Sequence, residues 1–173
     1  MKIHKDPWKT RPVVACVGTF MNAWSRWMDF HLQRLKHFCP TYVKDTDQIL
    51  KEVQAIDDLP PNAFLFTADA DAMYDNIETE HAIEIISAWL DELSTHPDFP
   101  DKFPLKAIKE AMVYIMRQNH FEFGIANLLQ LIGTAMGTSS ACMWATIYFA
   151  YHESKCLLPR YKQFLYNEQL RRF

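Results

Sequence analysis

The chain has 173 residues, 49% of them apolar and 14% aromatic, enough to bury one sizeable core and too rich in large side chains for a disordered tail. Four glycines stand beside five tryptophans and twelve phenylalanines, which disfavours a turn-rich small barrel and points to an α+β, helix-rich chain. A net charge of −3 gives no global signature of a nucleic-acid binder, but the average hides a gradient. Lys2, Lys5, Lys9, Arg11, Arg26, Arg34 and Lys36 face only Asp6 and Asp29 in the first 36 residues, so this end is basic and the remainder acidic. A solvated basic face and a polyanion held near a carboxylate site both fit that gradient.

In chain order, Ile3 to Val17 places β-branched residues on both sides of Asp6-Pro-Trp-Lys-Thr10, and Pro12 forces Arg11 into extended backbone, which predicts a short hairpin. Asn22 to Phe38 carries Trp24, Trp27, Met28, Phe30, Leu32 and Leu35 at spacings of three and four, a helix with a broad apolar face that Pro40 ends. Asp45 or Thr46 caps a second helix, Asp47 to Ile56, and Asp57 to Pro61 is a loop. An apolar run from Phe64 reads as a strand that delivers Asp69 to its end. Thr79, as N-cap, opens a helix to Leu93 with Ala82, Ile83, Ile86, Leu90 and Leu93 as its buried stripe. Three prolines make Thr95 to Pro104 a loop, and Leu105 to Arg117 is a helix with Ile108, Met112, Ile115 and Met116 inward. Phe121 to Gly124 reads as a short strand, and a glycine-bearing segment from Gly133 leads into a helix from about Ser139 to Leu157.

Cys16, Cys39, Cys142 and Cys156 form no Cys-x-x-Cys pair and lie in apolar sequence, so they read as reduced core residues of an intracellular protein. His31, His37 and Cys39 gather near one helix end, yet no second ligand pair at zinc spacing follows. The basic start, Lys2 to Trp8, has no apolar core of a signal peptide. No run of about 18 apolar residues is present to span a membrane.

Two stretches carry chemistry. In the first, Phe64-Leu-Phe-Thr-Ala-Asp69-Ala-Asp-Ala-Met-Tyr74-Asp-Asn-Ile77, a strand brings a carboxylate to the rim of a sheet and the following turn returns an aromatic over it, an arrangement suited to divalent metal and nucleotide. Asp71 keeps a rival open, the Asp-x-Asp pair of aspartyl-phosphate phosphatases or metal-dependent glycosyltransferases, although Met73 stands where the phosphatase pattern wants Thr or Val. A plain turn and helix cap also fits. In the second, Leu129-Gln-Leu-Ile-Gly133-Thr-Ala-Met-Gly137-Thr-Ser-Ser, two glycines four apart before a helix permit close backbone approach by a phosphate or base pair. A loop into a closely packed helix fits as well.

Taken together, Lys2-Ile-His-Lys5, Arg11-Pro12-Val-Val, Tyr42-Val-Lys-Asp-Thr46, Asp69-x4-Tyr74-Asp-Asn-Ile77 and Gln130-x-x-Gly133-Thr-Ala-Met-Gly137-Thr138 occur in an order that resembles the reverse transcriptase domain of retroelements, most closely the Penelope-like elements. The resemblance implies a right-hand polymerase, residues 1–60 in the fingers and 61–173 in an incomplete palm with a small antiparallel sheet. It implies that Asp69 is the first catalytic carboxylate and, with the carbonyl of Ala70, a ligand of two Mg²⁺ ions. Tyr74 falls at the steric gate against a ribose 2′-hydroxyl, while Arg11 and Lys5 resemble the fingers residues that grip the incoming triphosphate, a task for which the planar guanidinium suits Arg. Gly133, Met136, Gly137 and Thr138 fall in the loop that supports the nascent base pair, Met136 standing where many reverse transcriptases carry Gln. Implied partners are an RNA template, a DNA primer and deoxynucleoside triphosphates, with no membrane, and the implied location is nuclear.

One departure stands against these matches. The family's third motif, ending in Asp-Asp, should follow Arg171-Arg-Phe173, where the sequence stops. The expectation is therefore a fragment lacking the Asp-Asp hairpin, the thumb and any endonuclease, inactive until completed; the alternative is a non-catalytic nucleic-acid-binding remnant of a decayed element.

Overall fold

The computed structural model describes residues 16, 18–56, 61–62, 64, 70–134 and 136–161, and in them helices dominate beside one two-stranded antiparallel sheet. The expected opening hairpin, the strand running to Asp69, and the last residues before Phe173 lie outside the described residues.

Helix α1 spans Phe20–Gln33, shorter at its end than the periodicity predicts. Leu35 N–H bonds Leu32 O at 2.9 Å and Phe38 N–H bonds Leu35 O at 3.0 Å, so the chain tightens into a 3₁₀ turn over Lys36–Phe38. That tightening leaves Leu35 and Cys39 enclosed in the core. Helix α2, Thr46–Gln54, starts on Asp45, whose Oδ1 accepts the Gln48 N–H at 3.0 Å; of the two expected caps this is the one used. Its apolar side stays open, with Leu50 51% and Val53 39% exposed.

Helix α3 is a single turn, Met73–Asn76. Helix α4, Thr79–Ser94, has Glu78 rather than Thr79 at its N-cap; the Thr79 hydroxyl turns away to the Leu131 carbonyl at 3.5 Å. Its expected stripe is buried at Ala82, Ile83, Ile86 and Leu90, and Ile85 and Trp89 are buried too. Helix α5 occupies Leu105–Arg117, the predicted span, and buries Ile108, Met112, Ile115 and Met116 as expected. Ion pairs fix its direction: Arg117, at its end, donates to both Glu80 carboxylate oxygens at 2.8 and 2.6 Å near the start of α4, and Lys109 reaches Asp91 at 2.7 Å near the end of α4. The two helices are therefore antiparallel neighbours.

Strands β1, His120–Phe123, and β2, Ala126–Leu129, pair with His120 opposite Leu129 and Phe123 opposite Ala126. Gly124 begins the two-residue turn at φ +63, a conformation glycine adopts without a side-chain penalty. Only β1 was expected, because Ala126-Asn-Leu-Leu lacks the β-branched alternation that marks a strand. Helix α6, Ala141–His152, gives way to a π-helical turn at Glu153–Leu157 and a last turn α7, Leu158–Tyr161, where one continuous helix was expected. At the change, the Ser154 hydroxyl donates to the Ala150 carbonyl at 2.6 Å, the back-bonding that bends helices.

The core lies where α1 and α4 each pack on both α5 and α6. Met28, Leu32, Ile86, Leu90, Ile108, Met112, Ile115, Met143 and Ile147 are fully enclosed there. Because α6 lies between α1 and α4 it is apolar nearly all round, and its sequence does not mark an outward face. This corrects the reading of the cysteines: Cys39 is buried and Cys16 half-buried, but Cys142 and Cys156 are exposed.

Candidate functional site

The site is built from two turns. Ala72 takes the left-handed conformation, φ 48 and ψ 41, and its carbonyl accepts the Asp75 and Asn76 N–H groups at 2.9 and 3.1 Å. Asn76 Nδ2 also donates to the Asp71 carbonyl at 3.1 Å. Such a reversal is costly for a residue with a Cβ, and these three bonds offset it. It turns the carbonyls of Tyr74 and Ile77 towards the glycine segment.

That segment meets them. Gly133 N–H donates to Ile77 O and Thr134 N–H to Tyr74 O, both at 2.8 Å. Gly133 has φ +87, and a Cβ placed there would lie 2.8 Å from Tyr74 O, 2.9 Å from Gln130 Nε2 and 3.0 Å from Asp75 O. Glycine is needed twice over, for the dihedral and for the approach of one backbone to another. Gln130 Nε2 closes its own turn on Ile132 O at 3.0 Å.

Beyond Gly133 the segment is pinned twice more. Thr138 Oγ1 lies 3.3 Å from Cys16 Sγ. Ser140 N–H donates to Ser25 Oγ at 3.0 Å and the two hydroxyls share a second bond of 3.0 Å. Ser25 and Ser140 are fully buried, where a satisfied polar pair fixes register and an unsatisfied one is costly. Thr134 and Thr138 are also buried, and Met136 and Gly137 are half-buried between them.

Tyr74 is held through its backbone and partly buried at its ring. Its backbone carbonyl takes the Thr134 N–H, and burial, then interaction with Cys142 in the first turn of α6, holds its phenol above the ordinary value. A hollow of about 300 Å³ opens beside Thr138, lined by Cys16, Phe20, Tyr114, Gln118 and His120 among others.

The structure thus brings Tyr74 together with Gly133 and Thr134; Met136, Gly137 and Thr138 follow in the same segment. Ala70 lies exposed two residues before the left-handed turn, and Asp71 is exposed with its carbonyl used in that turn. Asp69, Arg11 and Lys5 lie outside the described residues. Among the described residues no group of three or more His, Cys, Asp or Glu side chains is placed to hold a metal ion. Of the other cluster, Cys39 is buried with its thiol pushed up to about 11 by burial, while the His31 ring packs edge-on against Trp27, Phe30 and Phe103.

Cys142, Ser25, Ser140 and Ile77 complete the site; from sequence Ile77 stood only as the last residue of its motif, Cys142 only as a core cysteine, and the two serines had no role. Ile77 alone had a visible signal, an apolar β-branched residue closing a polar turn. Comparison with protein-family models, with curated proteins and with solved structures gives no match.

Proposed function

We propose that this chain is the fingers and part of the palm of a reverse transcriptase of a Penelope-like retroelement, which extends a DNA primer on an RNA template by phosphoryl transfer. One observation carries the reading: the two segments with polymerase spacing, Tyr74 to Ile77 and Gly133 to Thr138, are far apart in sequence yet joined backbone to backbone. A polymerase needs that junction, because the residue beneath the sugar and the loop beneath the base pair must keep a fixed separation.

In this reading Tyr74 is the steric gate. A residue tied through its carbonyl to Thr134, with its ring partly buried beside Cys142, resists swinging aside for a 2′-hydroxyl, so selection comes from rigidity. Gly133 to Thr138 bears the nascent pair, with Met136 offering an apolar contact in place of an amide. Arg11 and Lys5 grip the triphosphate.

Magnesium, when bound, would supply charge neutralisation at the attacking and leaving oxygens. Asp69 and the Ala70 carbonyl would contribute to its shell, but these two oxygen sources are too few for two hard dications. The reading therefore requires the Asp-Asp pair of the third motif as well. The domain would act in the nucleus; among the described residues no helix is long and apolar enough to cross a membrane.

The test uses the chain continued through an Asp-Asp motif. Asp69→Ala is expected to lower primer extension on an RNA template by at least about a hundredfold, as for loss of a group that stabilises transition-state charge. Extension at the parent rate would sink the assignment.

A further inference from the structure

His81 on α4 and His152, the last residue of α6, bring their rings to 5.5 Å between centroids. His81 Nδ1 shares a hydrogen bond of 3.0 Å with the Tyr148 hydroxyl, and the Tyr148 ring stands edge-on to His152 at 4.5 Å. Tyr151 closes another side at 5.7 Å. His152 Nε2 is buried with no hydrogen-bond partner among the described residues.

Such a nest suits a neutral imidazole. A proton on His152 would leave a charged N–H without an acceptor and set a second cation, if His81 were charged too, against it across the helix interface. The other groups facing the pair do little to offset this. Glu78, the N-cap of α4, acts on the Tyr148 side, where after burial it raises the phenol; Glu153 follows His152 in sequence, and Lys155 beyond it is paired with Glu92 of α4 at 3.1 Å. The α1 contact through Ser25 is at Ser140, the far end of α6.

We propose that His152, nested against His81 and Tyr148, is a proton-operated latch, closed while its ring is neutral and holding the end of α6 on α4, and opened by its protonation to release the π-helical turn Glu153–Leu157. The junction is suited to this, since a π-helical turn is one of the places where helices kink.

Burial, then the charge of His81, holds His152 below its ordinary value of 6.5. The folded chain then binds fewer protons at this site than the unfolded chain. The stabilisation is full above the unfolded value and is lost as pH falls through the folded one.

The experiment measures amide exchange of residues 149–157 from pH 7.5 to 5 in the 173-residue chain, with the imidazole C–H resonances followed in parallel. In the parent the local opening constant should rise by up to about tenfold per pH unit for each proton taken up, and His152 should titrate below 6.5. In His152→Gln the rise should flatten, which separates it from the effect of His31, also held low by burial and by Arg34. His81→Gln should shift the His152 titration upward, and it provides the comparison if His152→Gln does not fold. Equal pH dependence of exchange in parent and variants, or a His152 resonance titrating at or above 6.5, would overturn the latch.

Discussion

Leu90, Met112 and Ile147 are fully enclosed among α1, α4, α5 and α6, whereas every residue of β2 is exposed and the turn tip Ile125 has no cover. The first region is held by apolar burial and dense packing, which depend on side-chain volume. Among the described residues the hairpin is held by its own ladder, and an isolated two-stranded hairpin is marginal in water. The candidate site lies on the boundary. Ile77, Thr134, Thr138 and Ser140 are buried on the core side, while Gln130 to Gly133 arrive from the hairpin. The site therefore borrows rigidity from the core and adds its own through backbone hydrogen bonds.

The contrast can be broken most strongly inside. Leu90→Ala should cost about 2–5 kcal/mol, because the removed methyl groups leave a cavity that four helices cannot close; denaturant unfolding measures it, and a loss below about 1 kcal/mol would mean the enclosed core is looser than described. Gly133→Ala tests the boundary. The positive φ and the 2.8 Å approach to Tyr74 O should together cost about 1–3 kcal/mol. The loss should also weaken exchange protection of the Thr134 amide, and an unchanged amide there would refute the docking of the two turns. Smallest is Ile125→Ser at the exposed tip, where the change in stability should stay within about 0.5 kcal/mol. A larger loss would show that the hairpin face is covered in solution.

The same boundary divides what was legible from the sequence. In α4 and α5 the three-and-four spacing of Ile86, Leu90, Ile108 and Met112 tracks one buried face, so type, extent and inward residues could all be read. Helix α6 is flanked on two sides, and Ala141 to His152 carries no face-defining alternation. Cys142 therefore read as core although it points outward. The left-handed Ala72 was invisible because neither glycine nor asparagine marks it. Tyr74 and Gly133 were named, yet their junction is made by backbone groups that every residue carries, and only the glycine betrays it. Ser25 was hidden in an aromatic helix, where a lone hydroxyl looks like a solvent-facing position.

The junction of the two turns also bears on how the chain folds. All of α4, α5 and the hairpin lie in the stretch closed by the bonds of Gly133 to Ile77 and Thr134 to Tyr74. Closing so long a loop has an entropic cost that is recovered only when the intervening helices have already drawn the ends together. The antiparallel α4 and α5 pair is local, so it is expected to assemble before the junction, and a Gly133→Ala change should then speed unfolding more than it slows folding.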